Sequence, residues 1–155
     1  MPLDTGDQAP DFTLPGAGDE TISLGELKGR KAVLYFYPKD DTSGCTLEAQ
    51  GFNALGPDFA AADTIVIGVS PDPVKSHDKF RAKYALTFPL ASDEGKAMLE
   101  AYGVWVEKSM YGRKYMGVER TTMLLDREGS IVRIWPKVKV PGHAEEVLAA
   151  ARDLA

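Results

Sequence analysis

Ala32-Val33-Leu34-Tyr35-Phe36-Tyr37-Pro38-Lys39-Asp40-Asp41-Thr42-Ser43-Gly44-Cys45-Thr46 begins as an unbroken apolar run and ends as the start of a helix. An apolar run of this length and β-rich composition reads as a strand buried on both faces. Pro38 stops it, because proline offers no N–H to a sheet ladder. Beyond the polar loop, Leu47, Phe52, Leu55 and Phe59 recur at mostly helical spacing. That spacing predicts a helix over Cys45 to Ala61, bent or interrupted near Gly56-Pro57. Thr64-Ile65-Val66-Ile67-Gly68-Val69 is a second buried strand. Strand, helix and strand together make a right-handed βαβ unit with its strands parallel.

The rest of the chain extends this unit in both directions. Asp11 to Leu14 and Thr21 to Leu24 read as short strands around Pro15-Gly16-Ala17-Gly18-Asp19, an N-terminal β-hairpin. Pro73 to Tyr84 reads as a helix with proline near its start. Phe88 to Leu90 is a short extended piece. Ser92-Asp93-Glu94-Gly95 opens a further helix through Tyr102, with Ser92 or Asp93 as its cap. Thr121 to Leu125 and Ile131 to Trp135 flank Asp126-Arg127-Glu128-Gly129, a hairpin whose Gly129 can take positive φ. A last helix, about Ala144 to Leu154, turns Val147, Leu148 and Ala151 to one face. The order β-β-β-α-β-α-α-β-β-α predicts an α/β fold with a mixed central sheet flanked by helices.

The chain of 155 residues reads as a single domain, 1–155, and is long enough to bury its own core. Its 44% hydrophobic and 26% charged residues are ordinary globular values. A formal net charge of -5 sits poorly with binding a polyanion, which argues against nucleic acid as a partner. Met1 to Pro10 lacks a basic start and an apolar run, and no stretch is apolar enough to span a membrane. The expected location is the cytoplasm. There is one cysteine, Cys45. A lone cysteine excludes an internal disulfide, a CxxC pair and a zinc site built mainly on cysteine.

Cys45 stands just beyond a buried strand, where open α/β sheets bind ligands. In the first turn of a helix, its sulfur faces free backbone N–H groups and the positive end of the helix dipole, which favours the thiolate. Thr42 lies one turn earlier and its hydroxyl can reach the same pocket. Gly44 permits close backbone approach, and Pro38 covers the pocket without a competing N–H. Spacing alone leaves two readings open. Cys45 is a reactive thiol, or Thr42 or Ser43 caps the helix while Cys45 packs inward as an inert one.

These residues carry a resemblance. Pro38-x-x-x-Thr42-x-x-Cys45 resembles the Pro-x-x-x-Thr/Ser-x-x-Cys signature of the peroxiredoxins, thiol peroxidases on a thioredoxin-like fold. Gly6-Asp7-Gln8-Ala9-Pro10-Asp11-Phe12-Thr13-Leu14 resembles the family's opening strand. Tyr35 to Asp40, Val74-Lys75-Ser76-His77-Asp78-Lys79-Phe80, Gly117-Val118-Glu119-Arg120-Thr121-Thr122 and Lys137 to His143 resemble the bacterioferritin-comigratory (Q-type) subgroup. The resemblance implies that Cys45 attacks a peroxide oxygen and becomes a sulfenic acid. Arg120 is then the active-site cation that stabilises the thiolate and the polarised O–O bond. Thr42 and the backbone N–H of Cys45 bind the incoming peroxide beside Gly44, and Pro38 shields the sulfur. It also implies no metal and no organic cofactor, an external thiol reductant (thioredoxin, glutaredoxin or a small thiol), and a monomer rather than a dimer. The alternative is a non-enzymatic peroxide sensor or thiol-reversible binding module on the same fold.

Two departures from that pattern matter. Q-type members place a second, resolving cysteine five residues after the first, where this chain has Gln50, or in the following helix, where it has Phe80-Arg81-Ala82. Neither histidine has a metal-ligand partner at sequence spacing: His77 reads as a surface or capping residue and His143 as the start of a helix. Tyr111, Lys114 and Tyr115 read as a polar aromatic loop, and Lys137 to Val140 as a half-exposed strand or extended segment. Trp105 and Trp135 read as core or subunit-contact residues.

Overall fold

The computed structural model describes residues 3–155. Met1 and Pro2, at the head of the segment read for a targeting signal, lie outside the described residues. In chain order the elements are β1 (Thr13–Pro15), β2 (Thr21–Ser23), α1 (Leu24–Leu27), β3 (Lys31–Phe36), α2 (Ser43–Ala54), α3 (Gly56–Ala61), β4 (Thr64–Ser70), α4 (Val74–Tyr84), β5 (Leu90–Ser92), α5 (Ala97–Ala101), β6 (Trp105–Met110), β7 (Arg113–Val118), β8 (Thr121–Leu125), β9 (Ile131–Trp135) and α6 (His143–Asp153).

The five-stranded central sheet has the order β5-β4-β3-β8-β9. β3 runs parallel to β4, from Lys31 opposite Thr64 to Phe36 opposite Val69, and antiparallel to β8. The sheet is therefore mixed. The apolar run of β3 is buried throughout because it lies at the centre with both faces covered. Its side chains alternate between two cores, as a period of two requires. Leu34 and Phe36 join Phe12, Ile22, Leu99, Tyr102 and Met123 on one face. Val33, Tyr35 and Tyr37 join Cys45, Phe52, Phe59, Phe80 and Val147 on the other. The second face is the one covered by α2, so the sulfur of Cys45 rests on the sheet. Lys31 is also buried there, its ammonium donating to the carbonyls of Ala151 at 2.7 Å and Leu154 at 2.8 Å. That ties the last turn of α6 to the start of β3 and satisfies carbonyls the helix end leaves free.

The helix read over Cys45 to Ala61 is two helices, broken at Leu55 just before the Gly56-Pro57 step. β1 and β2 pair as the expected N-terminal hairpin. Three expectations need correction. Ser92 ends β5, so the following helix is only Ala97–Ala101; Asp93 still serves it, its Oδ2 accepting from the Leu99 N–H at 2.8 Å. The segment holding Tyr111, Lys114 and Tyr115 is not a loop but the hairpin β6–β7, Trp105 opposite Val118 through Met110 opposite Arg113. Its turn residues Tyr111 and Gly112 both have positive φ, as a tight two-residue hairpin turn demands. Lys137 to Val140 is half-exposed as expected but is not an extended segment: the chain bends at Lys137, whose φ is +49°, and again at Val140. No described helix is long and apolar enough to cross a membrane.

Candidate active site

The site is assembled where β3 gives way to α2. Tyr37 continues the strand's last pairing, its N–H donating to the Val69 carbonyl at 3.0 Å, and Pro38, half-buried, ends it. α2 begins at Ser43 with Thr42 in the capping position. The first intrahelical bond runs from the Thr46 N–H to the Thr42 carbonyl at 2.8 Å. Cys45 therefore lies in the first turn, and its own N–H precedes that bond and has no partner within the helix. The Thr42 side chain does not cap the helix. Its hydroxyl is exposed and donates to the Lys39 carbonyl at 2.9 Å.

Cys45 is 1% exposed, which by itself suits an inert thiol. Its neighbour does not. Arg120, on the link between β7 and β8, places Nη2 3.2 Å from Cys45 Sγ. The arginine backbone is pinned on either side. Glu119 N–H donates to the Val104 carbonyl, and the Arg120 carbonyl accepts from Val138 N–H, both at 2.8 Å. The segment Lys137 to Val140 thus buttresses the arginine. Gly44 leaves room for the guanidinium: a β-carbon there would stand 3.3 Å from Arg120 Nη2.

The other half of the guanidinium is spoken for by a residue that the sequence reading passed over. Arg120 Nη1 donates to Glu48 Oε1 at 2.6 Å, and the Glu48 side chain is 1% exposed. Its second oxygen, Oε2, has no hydrogen-bond partner among the described residues. Burial raises the Glu48 carboxyl to about 7, against the lowering effect of Arg120. Burial also pulls the guanidinium down, but the Glu48 charge and the contacts with Cys45 outweigh it, and Arg120 shifts upward. The arginine stays a cation while the acid beside it titrates near neutrality. Spacing was the available signal: Glu48 follows Cys45 by three positions, so both face one side of α2.

Both histidines are buried. His143 opens α6 as expected, its Nε2 2.8 Å from Thr122 Oγ1, with Phe52 and Trp135 edge-on to the ring. Burial lowers its pKa. His77 is not a surface residue; it is buried on α4, against Asp40 of the β3–α2 loop, with Asp72 close by. Trp135 is part of the core, its indole N–H donating to Glu146 at 2.5 Å. At the two positions read for a resolving thiol, Gln50 is exposed on α2, while Arg81 on α4 donates to the carbonyls of Leu86 at 3.3 Å and Ala17 at 3.5 Å. Arg81 thus ties the end of α4 to the turn after β1.

The arrangement suits nucleophilic chemistry: one thiol at a helix start, a fixed cation on it, and free N–H groups around it. The AhpC/TSA family profile matches residues 5–134. The chain is similar to Peroxiredoxin Bcp of Bacillus subtilis, 45% identical over 154 residues that cover 99% of this chain and 98% of the relative. It is 49% identical to Peroxiredoxin Bcp of Xanthomonas campestris over 142 residues, 92% of this chain and 89% of that one. A solved structure of Xanthomonas campestris Peroxiredoxin Q superposes with a TM-score of 0.88 at 48% identity, covering 92% of this chain and 90% of that chain. Another, of the Xanthomonas campestris bacterioferritin comigratory protein studied for alkyl peroxide reduction, has a TM-score of 0.91 at 46% identity over 97% and 98% of the two chains.

Proposed function

The chain belongs to the AhpC/TSA family, among its Bcp or Q-type peroxiredoxins, and on that premise we propose how its own residues carry out the family's thiol-dependent peroxidase reaction. The Cys45 thiolate attacks the terminal oxygen of hydrogen peroxide or a small organic hydroperoxide. The S–O bond forms as the O–O bond breaks, giving a sulfenic acid and an alkoxide or hydroxide that takes up a proton. The contact that carries this reading is Arg120 Nη2 at 3.2 Å from Cys45 Sγ. A fixed cation there stabilises the thiolate and the charge that grows on the departing oxygen. Thr42 and the Cys45 N–H hold the peroxide, Gly44 keeps the backbone clear of the guanidinium, and Pro38 keeps water from the sulfur.

With one cysteine in the chain, release falls to an outside thiol. A first thiol condenses with the sulfenic acid to a mixed disulfide and water. A second displaces Cys45 and leaves as the oxidised disulfide. Thioredoxin, glutaredoxin or a small thiol fits this role, in the cytoplasm, where such donors are kept reduced. We take residues 1–155 as one domain acting as a monomer; Trp135, a candidate subunit contact, is satisfied within the chain. The test is turnover. Protein mixed with excess peroxide and dithiothreitol should consume many equivalents, and Cys45→Ser should consume none. A single stoichiometric oxidation would make the protein a sensor instead.

A further inference from the structure

Two of the stretches that resemble the Q-type subgroup, Tyr35 to Asp40 and Val74 to Phe80, meet at one carboxylate. Asp40 lies in the loop between β3 and α2 and is buried. Its Oδ1 accepts from the Tyr37 hydroxyl at 2.6 Å, and its Oδ2 accepts from the Ser76 hydroxyl at 2.8 Å. His77 Nδ1 is 2.7 Å from the same Oδ2, and His77 Nε2 is 3.0 Å from the Ala91 carbonyl. A carbonyl only accepts, so His77 Nε2 carries a hydrogen. His77 Nδ1 and Asp40 Oδ2 then share a second hydrogen, in a pair whose side chains are 0% and 3% exposed.

The other carboxylate at this node is already occupied. Asp72 lies within 4.8 Å of the pair, and its Oδ2 accepts from the Asp40 N–H at 2.8 Å and the Ser70 hydroxyl at 2.7 Å. Asp40 is thus gripped through both side chain and backbone. The next residue is gripped from the same helix: Asp41, at φ +59°, accepts from Lys83 Nζ at 2.8 Å and the Tyr84 hydroxyl at 2.6 Å. Asp40 follows Pro38 by two positions and precedes Thr42 by two. Whatever holds Asp40 and Asp41 therefore sets where Thr42 and the first turn of α2 stand. A buried polar pair of this kind is weak evidence for net stability; its best-attested use is to select one arrangement of the groups around it.

We propose that His77 is a positioning residue of the peroxidase reaction: bonded to Asp40 through their shared hydrogen, it latches the Pro38–Thr42 loop onto α4, and the closed latch presents Thr42 and the Cys45 N–H to the peroxide. This rests on the roles given above to Cys45 and Thr42. It assigns work to residues that touch neither sulfur nor peroxide.

The test compares wild type with His77→Gln, which removes the ring, and Asp40→Asn, which keeps the shape but not the carboxyl. Ser76→Ala is a milder probe that removes one donor. The rate constant of Cys45 with peroxide should fall at least about tenfold in the first two variants, the scale of a small misplacement of reacting groups. Alkylation of Cys45 by iodoacetamide should change far less, because Arg120 and its contact with the sulfur are untouched. Nitrogen-15 spectra of wild type should show one proton on His77 Nε2 and a second in the bond between Nδ1 and Asp40. That measurement stands even if the two variants fail to fold. Undiminished peroxide rates in folded variants, an equal loss in alkylation, or a His77 ring with no proton between Nδ1 and Asp40 would each overturn the latch. Wild type that fails to turn over peroxide would instead overturn the peroxidase reading, a result distinguishable from all three.

Discussion

Cys45 and Glu48, one turn apart on α2, share the guanidinium of Arg120: one of its nitrogens lies 3.2 Å from the sulfur and the other 2.6 Å from the carboxylate. The thiol and a buried acid thus draw on one cation. Arg120→Met should leave the thiolate without its counter-charge. Loss of a single preorganised donor costs about 10²–10³-fold in rate, and the peroxide rate constant should fall by that order. Iodoacetamide alkylation of Cys45 at neutral pH should slow in parallel, because both reactions draw on the thiolate. Arg120→Lys keeps the charge but cannot bridge two acceptors in a planar fork, so it should recover only part of the loss. Stopped-flow peroxide consumption checks both variants, and an unaltered rate in Arg120→Met would remove arginine from the site.

Glu48 should leave a signature in stability. Its carboxyl is raised from 4.5 to about 7 by burial. The folded state then holds a proton that the unfolded state has released, in the window from about 4.5 to about 7. The unfolded chain binds fewer protons there, so stability falls as pH rises through the window. The full effect is on the order of 3 kcal/mol. Glu48→Gln keeps the shape without the titration and should flatten the dependence. Urea melts at about pH 5 and about pH 8 check the sign. Equal slopes in wild type and variant would show that Arg120 keeps Glu48 ionised across the range.

The sequence exposed the centre of this site and hid its support, for a physical reason. A continuous apolar run such as Ala32 to Tyr37 records burial on both faces, so β3 and β4 were legible. Cys45 and Arg120 were legible through the resemblance of the stretches around them to peroxiredoxin motifs; spacing alone left the thiol reactive or inert. The β6–β7 hairpin was not, because most of its residues are exposed and carry no burial pattern. His77 was misread because the polar partners that bury it come from other segments. Asp40 lies 37 positions away and the Ala91 carbonyl 14. Glu48 looked like one more helix-forming acid, and only the fold brings Arg120 to it across 72 positions.

Gly44→Ala sets helix stability against site geometry. Alanine in place of glycine inside a helix is worth roughly 0.5–1 kcal/mol, and Gly44 is the second residue of α2. The new methyl would stand 3.3 Å from Arg120 Nη2, close enough to push the guanidinium away from the sulfur by a few tenths of an ångström. The variant should melt no lower than wild type yet react more slowly with peroxide. Thermal melting and the peroxide rate measured on one preparation separate the two effects. A variant that is both as stable and as fast would show that the guanidinium can retreat without cost.

The fate of oxidised Cys45 is the last expectation, and it follows from the residues at the two positions where a second thiol would stand. Gln50 and Arg81 cannot attack a sulfenic acid to form a disulfide, and Arg81 is engaged with the carbonyls of Leu86 and Ala17. In peroxide without reductant the sulfenic acid therefore persists until a second peroxide takes it to sulfinic and then sulfonic acid. Intact mass should show successive gains of one, two and three oxygens on the monomer. Added thiol should hold the protein at the unmodified mass, because condensation outruns further oxidation. A covalent dimer as the main product would mean that the Cys45 of a second copy resolves the first. Such a dimer requires the first turn of α2 to open, since Cys45 is 1% exposed with the helix formed.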